Sequence, residues 1–205
     1  TSAFEARLVG TPFIEFLNQI QLRETGANFS AVTLINDSFV KFTGAVTNET
    51  LLEVYPYYNR IAKVELSGQE LHEVIEFNLE YWVLDENGNA QVNPSYIYPK
   101  PRHYNYDLFS GLKIVANLSL PAGQRVIQLI DERTQTPIVR DQSYTIAVSQ
   151  YRAVGGGDYK NYTPERILSI SEIDIATRLR EALANYSSDE WAKINGNYRH
   201  IEWLD

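Results

Sequence analysis

The stretch SQYRAVGGGDYKNYTP, Ser149 to Pro164, places three consecutive glycines after an alternating run, SYTIAVS, with Tyr151 at their mouth. Glycines after a strand can cradle a phosphate on their backbone N–H groups, or let the chain take φ > 0 and pass close to a neighbour. A P-loop requires G-x-x-x-x-G-K-[ST], with the lysine on phosphate and the hydroxyl on magnesium. Here the text is GGGDYK, and Lys160 is followed by neither Ser nor Thr. A dinucleotide fingerprint needs G-x-G-x-x-G opening a helix inside a βαβ unit, and neither the spacing nor the next element fits. The glycines read as a close-approach loop, which can still serve a ligand.

Other chemistry-bearing residues are sparse. His72, His103 and His200 show no HxH or HExxH spacing, and there is no cysteine, so a histidine-rich or thiolate metal site is not expected. Asp37, Asp107 and Asp158 are scattered acids that read as turn formers. No G-x-S-x-G occurs. Tyr151 follows a strand and Tyr57 follows Pro56. Each alone reads as a partly buried tyrosine with a wet hydroxyl. Facing one another across a cleft they would suit a planar ring, since a base on an aromatic face is worth about 1–3 kcal/mol. Spacing does not show that they face. The residues themselves support a binding surface rather than a catalytic centre.

The bounds agree. A chain of 205 residues, 44% hydrophobic, can bury a core without staples. The formal net charge of −8 argues against a nucleic-acid polymer and against an anionic membrane surface. No apolar run approaches the ~18 residues of a membrane span, so no membrane insertion is expected. The chain opens at TSAFEARLVGTPF without Met or a signal-peptide pattern, which reads as a piece of a longer protein.

The elements that must position these residues follow from periodicity and punctuation. Thr11 and Pro12 open a helix that Gly26 stops. AVTLIN is a short strand, and TNETLLEVYPY a short helix capped by Thr47 and ended by Pro56. RIAKVELS is a strand, Gly68 turns the chain, and QELHEVIEFNLEYW is an amphipathic helix reaching Trp82. DENGNA is a turn, and the tyrosine- and proline-rich loop Asn93–Tyr106 is too long and aromatic for a mere connector. SGLKIVANLSL, RVIQLID and SYTIAVS are strands expected to run antiparallel. SEIDIATRLREALANY is a last helix, and HIEWLD a short strand. The sum is one α+β domain.

The texts TPFIEFLNQIQLRETGANFSAVTLIN, VYPYYNRIAKVELSGQELHEVIE, HYNYDLFSGLKI and YRAVGGGDY occur in an order that resembles the C-terminal domain of the 5′-nucleotidase family. The resemblance is nearest to the bacterial 2′,3′-cyclic-nucleotide 2′-phosphodiesterase/3′-nucleotidase branch. It implies a single domain over residues 1–205, layered α/β/β/α with mixed, largely antiparallel sheets. It also implies an N-terminal metallophosphoesterase domain outside this chain, whose two divalent metals hydrolyse the phosphoester. No cofactor is then expected here, and the chain alone is expected to be inactive. The ligand implied is a nucleotide or nucleoside, and the location extracellular, periplasmic or cell-wall anchored.

Residue by residue, the resemblance makes Tyr57 and Tyr151 the two stacking rings. Asn36 falls where the family hydrogen-bonds the base, Lys41 where it has an arginine, and Asp158 near its ribose-binding aspartate. Arg152, Gly155 and Gly156 are wall elements. The competing expectation is a surface interaction module that holds a protein or glycan through Tyr96, Tyr98, Tyr104 and Tyr106.

Overall fold

Local punctuation starts the helices. In the computed structural model, which describes residues 2–35, 37, 47, 49, 50, 53 and 55–204, Ser2 opens helix α1 (Ala3–Val9) with a capping box to Glu5. Thr11 accepts from the Ile14 N–H at the head of α2 (Pro12–Thr25), and Gly26 ends it at φ 59, as its sequence predicts. Ser67 and Glu70 form a second capping box at α3 (Gly68–Leu79). Gly68 is therefore not a turn but the first helical residue. A Cβ there would lie 2.2 Å from the Val139 carbonyl oxygen, so the glycine permits close packing.

A five-stranded sheet has the order β10 (Ile167–Asp174), β2 (Arg60–Ser67), β9 (Ser143–Ser149), β1 (Phe29–Thr33), β5 (Asp107–Ser110). Within it β1 and β9 run parallel, and the other pairs are antiparallel. A four-stranded sheet has the order β11 (Ile201–Leu204), β6 (Leu112–Asn117), β7 (Val126–Asp131), β8 (Thr136–Pro137), with β11 parallel to β6. A hairpin of β3 (Trp82–Leu84) and β4 (Ala90–Val92) closes over the DENGNA turn, where Asp85 Oδ1 accepts from the N–H groups of Asn87 and Asn89. The fold is a mixed α+β domain.

Several elements depart from the sequence pattern. β1 starts two residues before AVTLIN. Trp82 belongs to β3, not to the end of α3. β9 does not join β6 and β7 but crosses into the larger sheet between β2 and β1. The predicted last helix is divided: Ser171–Asp174 complete β10, and Asp174 caps α5 (Ile175–Asn185). Helix α6 (Ser188–Gly196) follows behind its own capping box. The Thr47 hydroxyl accepts from the Thr50 N–H, as a cap should, but most of the helix expected after it lies outside the described residues.

The larger sheet buries both faces, which explains why β2 does not alternate strictly. Ile61 packs with Phe16, Leu17 and Ile20 of α2 and with Leu179 of α5. Ala62, Val64 and Leu66 point the other way, onto Leu71 and Ile75 of α3 and Ile114 and Leu129 of the smaller sheet. Each such side chain contributes about 1.5–3 kcal/mol by leaving water.

A buried charge cluster ties the smaller sheet to α2, whose Glu15 also accepts from the Ser110 hydroxyl of β5 at 3.0 Å. His200, 6% exposed, meets Glu15 at 2.9 Å through Nε2 and Glu132 at 2.8 Å through Nδ1. Two carboxylates on two ring nitrogens require an imidazolium, which alone donates from both. Burial opposes the charge, but the hydrogen bonds that the ring donates to Glu132 and Glu15 prevail and push the imidazole up to about 9. A raised value means that the stabilisation is complete below pH 6.5 and is lost as the pH rises towards about 9. Urea midpoints should fall across that window by the equivalent of about 3 kcal/mol, and His200→Gln should abolish the dependence.

Candidate functional site

Because β1 and β9 run parallel at the centre, their C-terminal ends and the starts of β2 and β5 meet at one end of the sheet. A cleft of about 690 Å³ opens there, within the range of small-molecule sites. Leu17 and Gln21 of α2 and Thr33 of β1 line it, together with the Tyr55–Asn59 run except Pro56, Tyr104, and Tyr151, Arg152 and Val154 after β9. Tyr57 and Tyr151, 94 positions apart in the chain, share this cleft, the two residues being 61% and 48% exposed. Asn59 links the two segments: its Oδ1 accepts from the Arg60 N–H at 3.1 Å and the Tyr151 N–H at 3.4 Å.

Tyr151 sits on a single helical turn, α4 (Gln150–Ala153), capped by the Ser149 hydroxyl. The next residue turns inward. Arg152 is 3% exposed and grips Asp107 by two parallel bonds of 2.8 Å, the bidentate geometry that suits a guanidinium. Its Nη2 also donates to the Tyr104 carbonyl at 2.9 Å and its Nη1 to the Gly156 carbonyl. The guanidinium lies 4.3 Å from the centre of the buried Tyr159 ring. Burial pushes the Asp107 carboxyl up while Arg152 pulls it back. For Arg152 burial works against the charge, and Asp107 outweighs it, holding the guanidinium charged.

This arrangement explains the glycines. Gly155 and Gly157 take φ of +87° and +78°. A Cβ at Gly157 would fall 2.1 Å from Arg152 Nη1, and one at Gly156 would fall 2.6 Å from the Tyr151 ring. The loop thus wraps the guanidinium and gives the Tyr151 ring a bare backbone to lie on.

The structure brings Tyr57, Tyr151 and Arg152 together at the cleft. Gly155 and Gly156 stand behind Tyr151 and do not line it. Asp158 is 77% exposed, outside the lining, at φ 70 and 3.7 Å from Arg102. Asn36 and Lys41 lie outside the described residues. Asp107 is not the turn former that its type suggests but a buried strand residue. Asp37 bonds the buried Arg7. Of the four loop tyrosines, Tyr96 and Tyr106 are buried, Tyr106 stacking on Tyr81 with centroids 4.6 Å apart, whereas Tyr98 and Tyr104 are exposed. Sequence reasoning missed Tyr55, Tyr58 and Asn59 as lining residues. The run YPYYN next to Tyr57 was the available signal. Among the described residues no group of three or more His, Asp or Glu could hold a metal ion, and no helix is long and apolar enough to cross a membrane.

The family described as "5'-nucleotidase, C-terminal domain" matches residues 2–163. The chain belongs to that family. It is 24% identical over 165 residues to the trifunctional nucleotide phosphoesterase protein YfkN of Bacillus subtilis, covering 73% of this chain and 10% of that protein. A Staphylococcus aureus protein assigned as a 5′-nucleotidase and solved with α-ketoglutarate superposes with a TM-score of 0.89 at 30% identity. That match covers 99% of this chain and 38% of the other. A 5′-nucleotidase precursor of Thermus thermophilus shares the fold, with a TM-score of 0.66 at 19% identity over 94% of this chain and 35% of its own. The chain of this 5′-nucleotidase-family domain therefore spans well under half the length of these relatives.

The ion pair predicts an asymmetry between variants. Asp107→Asn strands a buried cation and should cost about 3–5 kcal/mol in chemical denaturation. Gly157→Ala should also destabilise, through its clash with Arg152, while Gly88→Ala, where a Cβ meets nothing within 4 Å, should show only its φ strain of about 1 kcal/mol.

Proposed function

We propose that this chain is the nucleoside-recognising domain of a nucleotide phosphoesterase, with the base stacked between Tyr57 and Tyr151. The observation that carries the reading is the shared cleft: two half-exposed tyrosines, distant in sequence, face one cavity in a domain of the 5′-nucleotidase family. The charges among the described lining residues, Asp107 and Arg152, neutralise each other. Such a lining suits the ring and sugar of a nucleotide better than its phosphate. Asn36 and Lys41 are assigned to polar contacts with the base, and Gly155, Gly156 and Arg152 to support of the Tyr151 wall; Asp158, exposed outside the lining, reaches the ribose only if the bound ligand extends past the cleft.

Hydrolysis belongs, on this reading, to an N-terminal metallophosphoesterase domain outside residues 1–205. Two divalent metals there would stabilise the attacking and leaving oxygens of an in-line displacement. The substrates are 2′,3′-cyclic, 3′- or 5′-nucleotides, a range that the name of the Bacillus relative, a trifunctional nucleotide phosphoesterase, supports. The location is extracellular, periplasmic or cell-wall anchored, as the family resemblance implies. The competing interaction-module reading is disfavoured by Tyr96 and Tyr106, whose rings are spent on the core.

Calorimetric titration of the chain with adenosine should show saturable binding. Tyr57→Ala and Tyr151→Ala should each weaken it by about 5- to 150-fold, the equivalent of one stacking contact. Undiminished binding by both variants would refute the clamp. The chain with Mn²⁺ should leave 2′,3′-cyclic AMP and AMP intact, and turnover well above background would refute the division of labour.

A further inference from the structure

A second cavity, of about 360 Å³, adjoins the cleft. Among the described residues Ile35, Tyr57 and Tyr104 line both, and so stand in the partition between them. Beyond the partition lie Asp37, Glu53, Pro56, Pro101 and His103. A ligand held on Tyr57 would have the partition at its edge, and what stands there decides which ring substituents fit.

Tyr104 is built for that position. Its backbone is fixed from three sides while the residue remains 39% exposed. The Tyr104 carbonyl accepts from Arg152 at 2.9 Å. On one side His103 Nδ1 meets the Tyr81 hydroxyl at 2.7 Å. On the other, the Asn105 carbonyl accepts from the buried Tyr159 hydroxyl at 3.0 Å, and Tyr106 stacks in the core. A ring on a main chain so fixed presents a preorganised wall rather than an adaptable one. The same Arg152 therefore places Tyr104 through its carbonyl and Tyr151 through its own neighbouring backbone.

We propose that Tyr104 is a third aromatic wall of the site and its size-determining residue, closing the cleft against bases that carry a bulky substituent. The inference rests on the clamp reading above, because it presumes a nucleoside between Tyr57 and Tyr151. Neither the paired stacking rings nor the family assignment requires it.

The test compares adenosine with three analogues that project a benzylamino group from different edges: 2-benzylaminoadenosine, N6-benzyladenosine and 8-benzylaminoadenosine. Each is titrated into the wild-type chain, Tyr104→Phe, Tyr104→Ala and Tyr151→Ala. The wild type and Tyr104→Phe should reject the analogue aimed at the partition by at least about tenfold relative to adenosine. Tyr104→Ala should bring that ratio to within about twofold by joining the two cavities. A ratio is unmoved by general loss of stability, so it separates a size gate from a structural role. If adenosine binds and Tyr151→Ala loses it, but no analogue gains on Tyr104→Ala, the gate is overturned and the clamp stands. If the wild type binds no adenosine, the clamp reading fails and the gate with it.

Discussion

The buried pair of Arg152 and Asp107 is the interaction on which the rest of the site depends. Taking two ions out of water costs several kcal/mol each, and their attraction repays it only with near-ideal geometry and with the remaining donors satisfied. Two bonds of 2.8 Å join the pair, and two of the three remaining guanidinium N–H groups go to the carbonyls of Tyr104 and Gly156. The net stability of such a pair is small next to its positional effect. One planar cation fixes the first residue of β5, the aromatic loop before it and the glycine loop after β9.

The cleft follows from this constraint and from the sheet. The parallel pairing of β1 with β9 brings the Tyr151 turn to the same end of the sheet as the Tyr55–Asn59 segment leading into β2. The Asn59 side chain ties those two segments directly. A cavity so walled is rigid where its backbone is bonded and open where its tyrosine rings are. That combination is what a planar ligand requires, since stacking returns most when the rings need not be ordered on binding. The larger sheet supports it from beneath through two buried faces, and the His200 cluster fastens the chain end to α2 and to the smaller sheet.

How far the sequence could be read depends on which interactions are local. The caps at Ser67 and Thr11, the αL stop at Gly26 and the Asp85 turn are set within four residues, and their text is legible. The crossing of β9 into the other sheet is not, because an alternating strand carries no address for its partner. Gly68 misled for a related reason: its partner, the Val139 carbonyl, lies 71 positions away and dictates a missing side chain without any special φ. Asp107 looked like a turn acid because its type favours turns, and only the distant Arg152 makes it a core residue. Tyr57 and Tyr151 were marked by family resemblance, whereas Tyr104 stood among four loop tyrosines whose division into core and surface requires the fold. The glycine triplet was legible as a close approach, but what approached it, a guanidinium and a tyrosine ring, was not.

The most direct measurement is a crystal structure of this chain with adenosine. The adenine ring should lie between Tyr57 and Tyr151, with Arg152 still bonded to Asp107 and making no contact with the ligand. Adenosine seated elsewhere, or Arg152 released from Asp107 to bind it, would contradict the claim that a buried ion pair positions an aromatic clamp.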